Sequence, residues 1–128
     1  MRDGVSYWTD AWGDRWPVIS SVRRLKFKYP AHAALRRHVF HADGFKCRRC
    51  PATAIEIPAN YNGHNTLHTN TFTGGGFRDV LVLDHIVTLK AGGLNDVGNF
   101  QTLCETCNKR KQKEDNATTE AFREASND

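Results

Sequence analysis

Residues 84–111 read DHIVTLKAGGLNDVGNFQTLCETCNKRK, and they directly follow an apolar run. That run, with the charged pair that ends it, predicts a buried strand over residues 79–86. A Gly-Gly pair then predicts a loop, residues 99–103 a second short strand, and the polar, basic stretch from about Glu105 a helix. The segment therefore predicts a ββα unit with a cysteine pair at the start of its helix, in a small α+β fold.

Four cysteines stand in two Cys-x-x-C pairs, Cys47 with Cys50 and Cys104 with Cys107. Each such turn aims two thiolates at one point, and two turns complete the tetrahedral sulfur shell that Zn²⁺ prefers. Disulfides and a redox pair are the alternatives, but nothing indicates an oxidising compartment, and a redox pair would leave the second pair unused. We predict one structural Zn²⁺ per chain, with no open position for catalysis.

Asp84 and His85 end the predicted strand. A carboxylate at that place costs desolvation free energy unless a cation compensates its charge. Neighbouring side chains of a strand point to opposite faces, so the two residues share one site only where the strand bends or ends. By themselves they are most simply explained as a turn cap beside a surface histidine, and their interpretation depends on the residues downstream.

The first third of the chain predicts two further helices. Over residues 30–42 the pattern places Leu35 and Val39 toward the core, and Arg36 and Arg37 outward, toward phosphate. In the N-terminal stretch, a four-residue spacing would stack three tryptophans on one helical face: Trp8, Trp12 and Trp16. We interpret these tryptophans as an aromatic flap packed on the domain, with base stacking as the alternative.

Residues 53–76 are polar and glycine-rich and form a long insertion, in which Ile55, Ile57 and Tyr61 suggest a short strand. Near the C-terminus, Thr118 or Thr119 would cap a separate last helix.

Length and charge narrow the class of protein. The chain has 128 residues, a formal net charge of +4 and a pI of about 9.0. One domain is expected, and 39% hydrophobic residues give a lean core that a metal would help to stabilise. No apolar run approaches the roughly 18 residues of a membrane span, and no signal peptide is evident, which predicts a cytoplasmic protein. The basic excess favours a polyanionic partner, although a solvated basic face is the alternative.

Order and spacing of these motifs resemble the HNH family of nucleases, the zinc-containing ββα-metal or His-Me finger type. The blocks that carry the resemblance are residues 45–50 (FKCRRC), 83–87 (LDHIV), 92–93 (GG) and 99–111 (NFQTLCETCNKRK). The resemblance covers about residues 31–112, with residues 53–76 as an unmatched insertion. It implies a nuclease domain over residues 30–128 and an N-terminal aromatic extension over residues 1–29.

The resemblance also implies catalytic roles. His85 matches the general base that activates water, and Asp84 matches a metal-binding carboxylate. Asn99 matches the middle Asn, which braces the loop between the strands and helps to hold the His ring. Asn108 stands where the family most often has His, so the chain is of the His-Asn-Asn variety.

An Asn at position 108 has a chemical consequence. Asp84 and Asn108 offer oxygen ligands, which suit Mg²⁺ or Mn²⁺, whereas a His would favour softer ions such as Ni²⁺ or Zn²⁺. We predict one catalytic Mg²⁺ or Mn²⁺ per chain in addition to the structural Zn²⁺. The predicted nucleic-acid contacts are the basic residues next to the cysteines: Arg48, Arg49, Lys109, Arg110 and Lys111.

The function that the resemblance implies is a divalent-metal-dependent endonuclease that nicks or cuts double-stranded DNA. The alternative is a non-catalytic, zinc-stabilised nucleic-acid-binding module, which leaves Asp84, His85, Asn99 and Asn108 as coincidence. Small HNH proteins occur as restriction enzymes, homing-type nucleases and phage partners of terminase. A terminase or a second copy of this chain are therefore the candidate protein partners, in a bacterial or phage-infected cell.

Overall fold

The computed structural model describes residues 7–10, 12–17 and 30–126, with side chains as far as residue 117. Its centre is an antiparallel sheet in the order β3-β4-β5, flanked by two helices. The elements are β1 (Tyr7–Thr9), β2 (Arg15–Pro17), α1 (Pro30–Ala42), β3 (His68–Phe72), β4 (Arg78–His85), β5 (Phe100–Cys104) and α2 (Glu105–Ser126). The predicted α+β class is confirmed, as are the two strands and the helix that follows them.

Strands β4 and β5 pair over five residues, from Leu81 opposite Cys104 to His85 opposite Phe100. The connection between them contains two 3₁₀ turns, Leu89–Ala91 and Val97–Asn99. Helix α2 begins at Glu105, directly after β5, and packs against both strands. This ββα arrangement places the end of β4 beside the first turns of α2.

Helix α1 packs its apolar face on the sheet, where Leu35 and Val39 join Phe100 in one buried cluster, as predicted. The predicted outward orientation of two arginines is wrong. Arg36 is 5% exposed and donates from Nη1 to the Gly63 carbonyl at 2.7 Å, and Arg37 ion-pairs with Asp10 at 2.8 Å. The insertion and the N-terminal hairpin cover this side of α1, which the helical pattern alone does not reveal.

The predicted tryptophan helix is also wrong, because the residues form a hairpin. Strand β1 pairs with β2, with Trp8 directly opposite Trp16, and Trp12 lies in the turn between them. The four-residue spacing of the tryptophans therefore reflects two paired strand positions and the turn midway between them, not one face of a helix. Trp8 is buried in the cluster with Leu35, so the interpretation as an aromatic flap packed on the domain is confirmed for this residue.

Asp10 organises this hairpin and ties it to α1. Its carboxylate accepts hydrogen bonds from the backbone N–H groups of Trp12 and Asp14, both at 2.9 Å, from Trp16 Nε1 at 3.0 Å and from Arg37 at 2.8 Å. Burial alone would raise the pKa of Asp10, but these hydrogen bonds hold it below its usual value.

We expect Asp10→Ala to lower the free energy of unfolding by about 2–4 kcal/mol, because it leaves several buried or half-buried donors without an acceptor. Urea unfolding of the zinc-loaded protein measures this change. Asp14→Ala is the matched control, since its carboxylate is 65% exposed and 3.7 Å from Arg37. Equal effects of the two substitutions would contradict the role assigned to Asp10.

Two predictions outside the ββα unit are wrong. Ile55 and Ile57 are exposed and lie outside any strand, whereas the strand of the insertion is β3, whose Thr69 is fully buried. Helix α2 continues without a break to Ser126, so no separate last helix begins at Thr118 or Thr119. Among the described residues, no helix is long and apolar enough to cross a membrane.

Candidate active site

The four cysteines converge although 54 positions separate the two pairs. Cys47 and Cys50 lie in the turn after α1, Cys104 ends β5, and Cys107 lies in the first turn of α2. Their Sγ atoms all lie within 4.8 Å of one another, and those of Cys50 and Cys104 are 3.6 Å apart. A tetrahedral Zn²⁺ with Zn–S bonds of about 2.3 Å requires sulfur atoms about 3.8 Å apart. The cluster therefore has the spacing of a four-thiolate zinc site.

Backbone groups around the cluster also suit a metal. The N–H of Arg49 points at Cys47 Sγ and that of Cys107 at Cys104 Sγ, both at 3.4 Å, and such donors stabilise thiolates. Burial raises the pKa of Cys107 to about 11 and also raises the pKa of Cys104. Since a thiolate is the ligand, Zn²⁺ binding displaces protons from this cluster. The donor set is consistent with the predicted structural zinc.

Asp84 lies near the end of β4 and is 6% exposed. Its carboxylate accepts hydrogen bonds from Asn108 Nδ2 and Gln101 Nε2, both at 2.9 Å, and Lys111 Nζ is 3.4 Å away. Burying a carboxylate is costly unless donors and a cation compensate it, and these three side chains supply that compensation. The structure thus brings Asp84 and Asn108 together across β4 and α2.

Lys111 is placed differently from the other predicted DNA contacts. Its side chain is 4% exposed, and Nζ donates to the His85 carbonyl at 2.9 Å and to Asp115 at 2.7 Å. An ammonium held in this way is not available to an external phosphate. We therefore assign Lys111 to the support of Asp84 and of the end of β4 and withdraw it from the DNA contacts.

His85 is the last residue of β4, where the alternation of strand faces ends, and its ring packs on Phe100, with ring centroids 4.5 Å apart. Its Nε2 is 2.8 Å from Oδ1 of Asn95, a residue that is 2% exposed. With this carbonyl oxygen as acceptor, the ring donates from Nε2–H and Nδ1 retains the lone pair that a base needs. Nearby His32 is neutral at pH 7, because burial lowers its pKa to about 4, with a smaller contribution from the positive charge of Arg36.

Asn99 braces the loop between β4 and β5. Its Nδ2 donates to the carbonyls of Val87 and Leu94, and its Oδ1 accepts from the Val87 N–H, all at 2.9 Å. Gly93 lies against this brace, where a Cβ would collide with the Val87 carbonyl. The hydrogen-bond partner of the His85 ring is the side-chain oxygen of Asn95 rather than Asn99.

The remaining predicted DNA contacts are at the surface. Arg48 pairs with Asp43, Arg49 with Glu114, and Lys109 with Glu105, at 2.9–3.0 Å. The basic side chains of these pairs are 40–68% exposed, and exposed pairs contribute only about 0–1 kcal/mol. Phosphate can therefore compete for these side chains at little cost. Arg110 is also exposed.

Sequence reasoning missed three residues of this site: Asn95, Gln101 and the supporting role of Lys111. Asn95 lies in an irregular loop, where no periodicity indicates burial. The sequence did contain a signal for the other two. Gln101 stands opposite Asp84 in the β4–β5 register, and Lys111 lies one helical turn after Asn108, so each follows once the strand pairing and helix start are known.

Residues 73–114 match the family model described as HNH endonuclease. The matched segment contains β4, β5 and the first turns of α2, and therefore the side chains that hydrogen-bond to those of Asp84 and His85: Asn95, Gln101 and Asn108. No curated protein and no solved structure gives a significant match to this chain. The family match confirms the resemblance found in the motifs, and it indicates a nuclease or nucleic-acid-binding function.

Proposed function

We propose that this chain is a divalent-metal-dependent DNA endonuclease. The observation that carries the proposal is the contact between Asp84 and Asn108, with an oriented imidazole, His85, on the next residue of the chain. A buried carboxylate, an amide and a histidine with a free lone pair are the groups that metal-assisted phosphodiester hydrolysis requires. They stand on the segment that matches the HNH family.

Asp84 and Asn108 would hold Mg²⁺ or Mn²⁺, which polarises the scissile phosphate and stabilises charge on the leaving oxygen. The donor set fits a hard cation, because both side chains carry oxygen atoms and no thiolate or imidazole adjoins them in the described hydrogen bonds. Asn108 donates its Nδ2 to Asp84 and accepts at Oδ1 from Gln112. A half-turn of the amide exchanges these atoms and presents the oxygen toward Asp84.

His85 supplies the proton transfer in this proposal. Its Nδ1 removes a proton from a water molecule that attacks the phosphorus in line with the leaving 3′ oxygen. Asn95 holds the Nε2–H tautomer, so that Nδ1 stays the basic atom, and it stabilises the imidazolium that forms. Breakage of the bond to the 3′ oxygen, which takes up a proton from solvent, gives products with 5′-phosphate and 3′-hydroxyl ends.

The metal preference is the direct test. Protein stripped of weakly bound metal, with one Zn²⁺ per chain verified by elemental analysis, should nick supercoiled plasmid with Mg²⁺ or Mn²⁺. We expect little or no nicking with Ni²⁺ or Zn²⁺, because Asp84 and Asn108 offer oxygen ligands. Activity restored by Ni²⁺ or Zn²⁺ alone would overturn the assignment of Asn108. DNA binding without cleavage in any metal would favour the non-catalytic binding module instead.

The biological setting is part of the same proposal. One active site cuts one strand, so clean double-strand cleavage requires a second copy of the chain or a partner such as a terminase. A restriction, homing or phage-associated role would supply such an arrangement. Linear product that appears together with nicked plasmid only at higher protein concentration would support action by two copies.

A further inference from the structure

A second surface lies between α2 and the turn that joins β3 to β4. It is a cleft of about 710 Å³, which we name the hairpin cleft, and its lining includes Thr73, Phe77, Arg78, Lys109, Arg110 and Lys113. Successive helix positions differ by about 100°, so the α2 residues of the cleft occupy a different flank from Asn108 and Lys111, which face Asp84. The cleft is therefore separate from the candidate active site.

The charge of the hairpin cleft suits a polyanion. Four basic side chains line it with two carboxylates, Asp79 and Glu105. Asp79 is 2% exposed and is occupied by the N–H groups of Val80 and Thr106, so it presents little charge to a ligand. Glu105 pairs with Lys109 at the surface, where such a pair is weak and Lys109 can exchange its partner for a phosphate.

The hairpin adds aromatic surface to this charge. Phe77 is 78% exposed and Phe72 is 59% exposed, and the Arg78 guanidinium lies over the Phe72 ring at 4.9 Å. The Thr73 N–H bonds to the Phe77 carbonyl at 2.7 Å, which closes the glycine-rich turn and holds Phe77 in place. Exposed aromatic rings among basic side chains are the combination that binds nucleic acid, through base stacking and phosphate contacts together.

The distance from the cleft to the active site matches a short stretch of DNA. Asp79 borders the cleft and Asp84 lies in the active site, five residues apart on β4. At about 3.3 Å per residue this is roughly 16 Å, close to five nucleotide steps of about 3.4 Å. Lys109, 68% exposed, lies on the α2 flank that lines the cleft and directly follows Asn108 in the chain. A DNA strand that crosses α2 over Lys109 can therefore occupy both surfaces.

We propose that the hairpin cleft binds DNA about five nucleotides from the scissile phosphate. Its basic side chains contact the phosphates, and Phe77 contacts a base. The position of the scissile phosphate rests on the proposed function, whereas binding to the cleft does not. The hairpin lies at the edge of the insertion, so this surface gives the insertion a task in substrate binding.

The test measures affinity without cleavage. Fluorescence anisotropy of a labelled 20-nucleotide DNA single strand, with zinc-loaded protein and no added Mg²⁺ or Mn²⁺, compares wild type with Phe77→Ala and Lys113→Ala. We expect Phe77→Ala to raise Kd roughly five- to 150-fold, since stacking is worth about 1–3 kcal/mol per base. Lys113→Ala should weaken binding and reduce the salt slope of log K by about one. The matched control is Ile55→Ala, which removes a 53% exposed side chain outside the cleft.

The outcomes separate this inference from the proposed function. An unchanged Kd for Phe77→Ala would contradict DNA binding by the hairpin cleft, even if the protein cleaves DNA. An equal rise in Kd for Ile55→Ala would contradict it as well. If Kd depends on Phe77 but the protein cleaves no DNA, DNA binding by the hairpin cleft is supported and the proposed endonuclease activity is contradicted. Tighter, Phe77-dependent binding to an RNA single strand of the same sequence overturns the choice of DNA. Unchanged melting temperatures of the variants exclude loss of fold as the cause.

Discussion

Replacement of His85 by alanine is expected to lower the rate of plasmid nicking by roughly 10²- to 10⁴-fold, the usual contribution of a positioned general base. The structure supports a large effect, because the ring is held by Asn95 on one side and packs on Phe100. The rate should be measured under single-turnover conditions in Mg²⁺, so that DNA binding does not limit it.

The matched control for this variant is His64→Ala, which removes an exposed histidine of the insertion. It should nick plasmid at the wild-type rate. Both variants should bind one Zn²⁺ and retain the wild-type melting temperature within a few degrees, because His85 is only half buried. His85→Ala protein with full activity would remove His85 from the role of base, and a low activity shared by both variants would point to a general defect.

Loss of the zinc site is expected to have the largest effect on stability. Structural Zn²⁺ contributes about 10–16 kcal/mol in small zinc-finger peptides, whereas whole domains are stable by about 5–15 kcal/mol. Here the four cysteines join the turn after α1 to the junction of β5 and α2, which is the same junction that positions Asn108. We expect Cys107→Ser to leave the chain largely unfolded at 25 °C, as measured by circular dichroism and by zinc content.

A chelator titration of the wild-type protein provides an independent measurement, because a serine in place of a buried cysteine can itself destabilise the core. A zinc chelator of high affinity should unfold the wild-type chain, and added Zn²⁺ should restore it. Mg²⁺ should not, since it binds thiolates poorly. A wild-type chain that loses its Zn²⁺ and keeps its melting temperature would contradict the structural role of the metal.

Local patterns identified the ββα unit because each part has its own signal. The apolar run before Asp84 predicts a strand whatever surrounds it, and the helix after Cys104 begins where the strand must end. The paired cysteines predict a metal site because two Cys-x-x-C turns supply four thiolates and nothing in the sequence indicates the oxidising compartment that disulfides need. By contrast, the tryptophan spacing fits a helix and a hairpin equally well, and only the pairing of Trp8 with Trp16 distinguishes them.

The burial of charged side chains could not be predicted in the same way. Arg36, Asp10 and Lys111 lie in stretches that appear solvated, and each is buried because a distant segment supplies a partner: Gly63, Arg37 and Asp84 respectively. The free energy of such a group depends on donors and acceptors that are far away in the chain. Local periodicity carries no information about them.

The sequence by itself determined the strand that ends at His85, the loop, strand and helix that follow it, and the pairing of the four cysteines, and it predicted the candidate catalytic residues of this region. The tertiary structure decided how those residues are oriented. In the folded protein Asn108 donates a hydrogen bond to Asp84, the His85 ring is hydrogen-bonded to Asn95, and the Lys111 side chain is buried beside Asp84. The physical reason is that residue type and spacing are local properties, whereas hydrogen-bond partners and burial arise only when separate segments pack together.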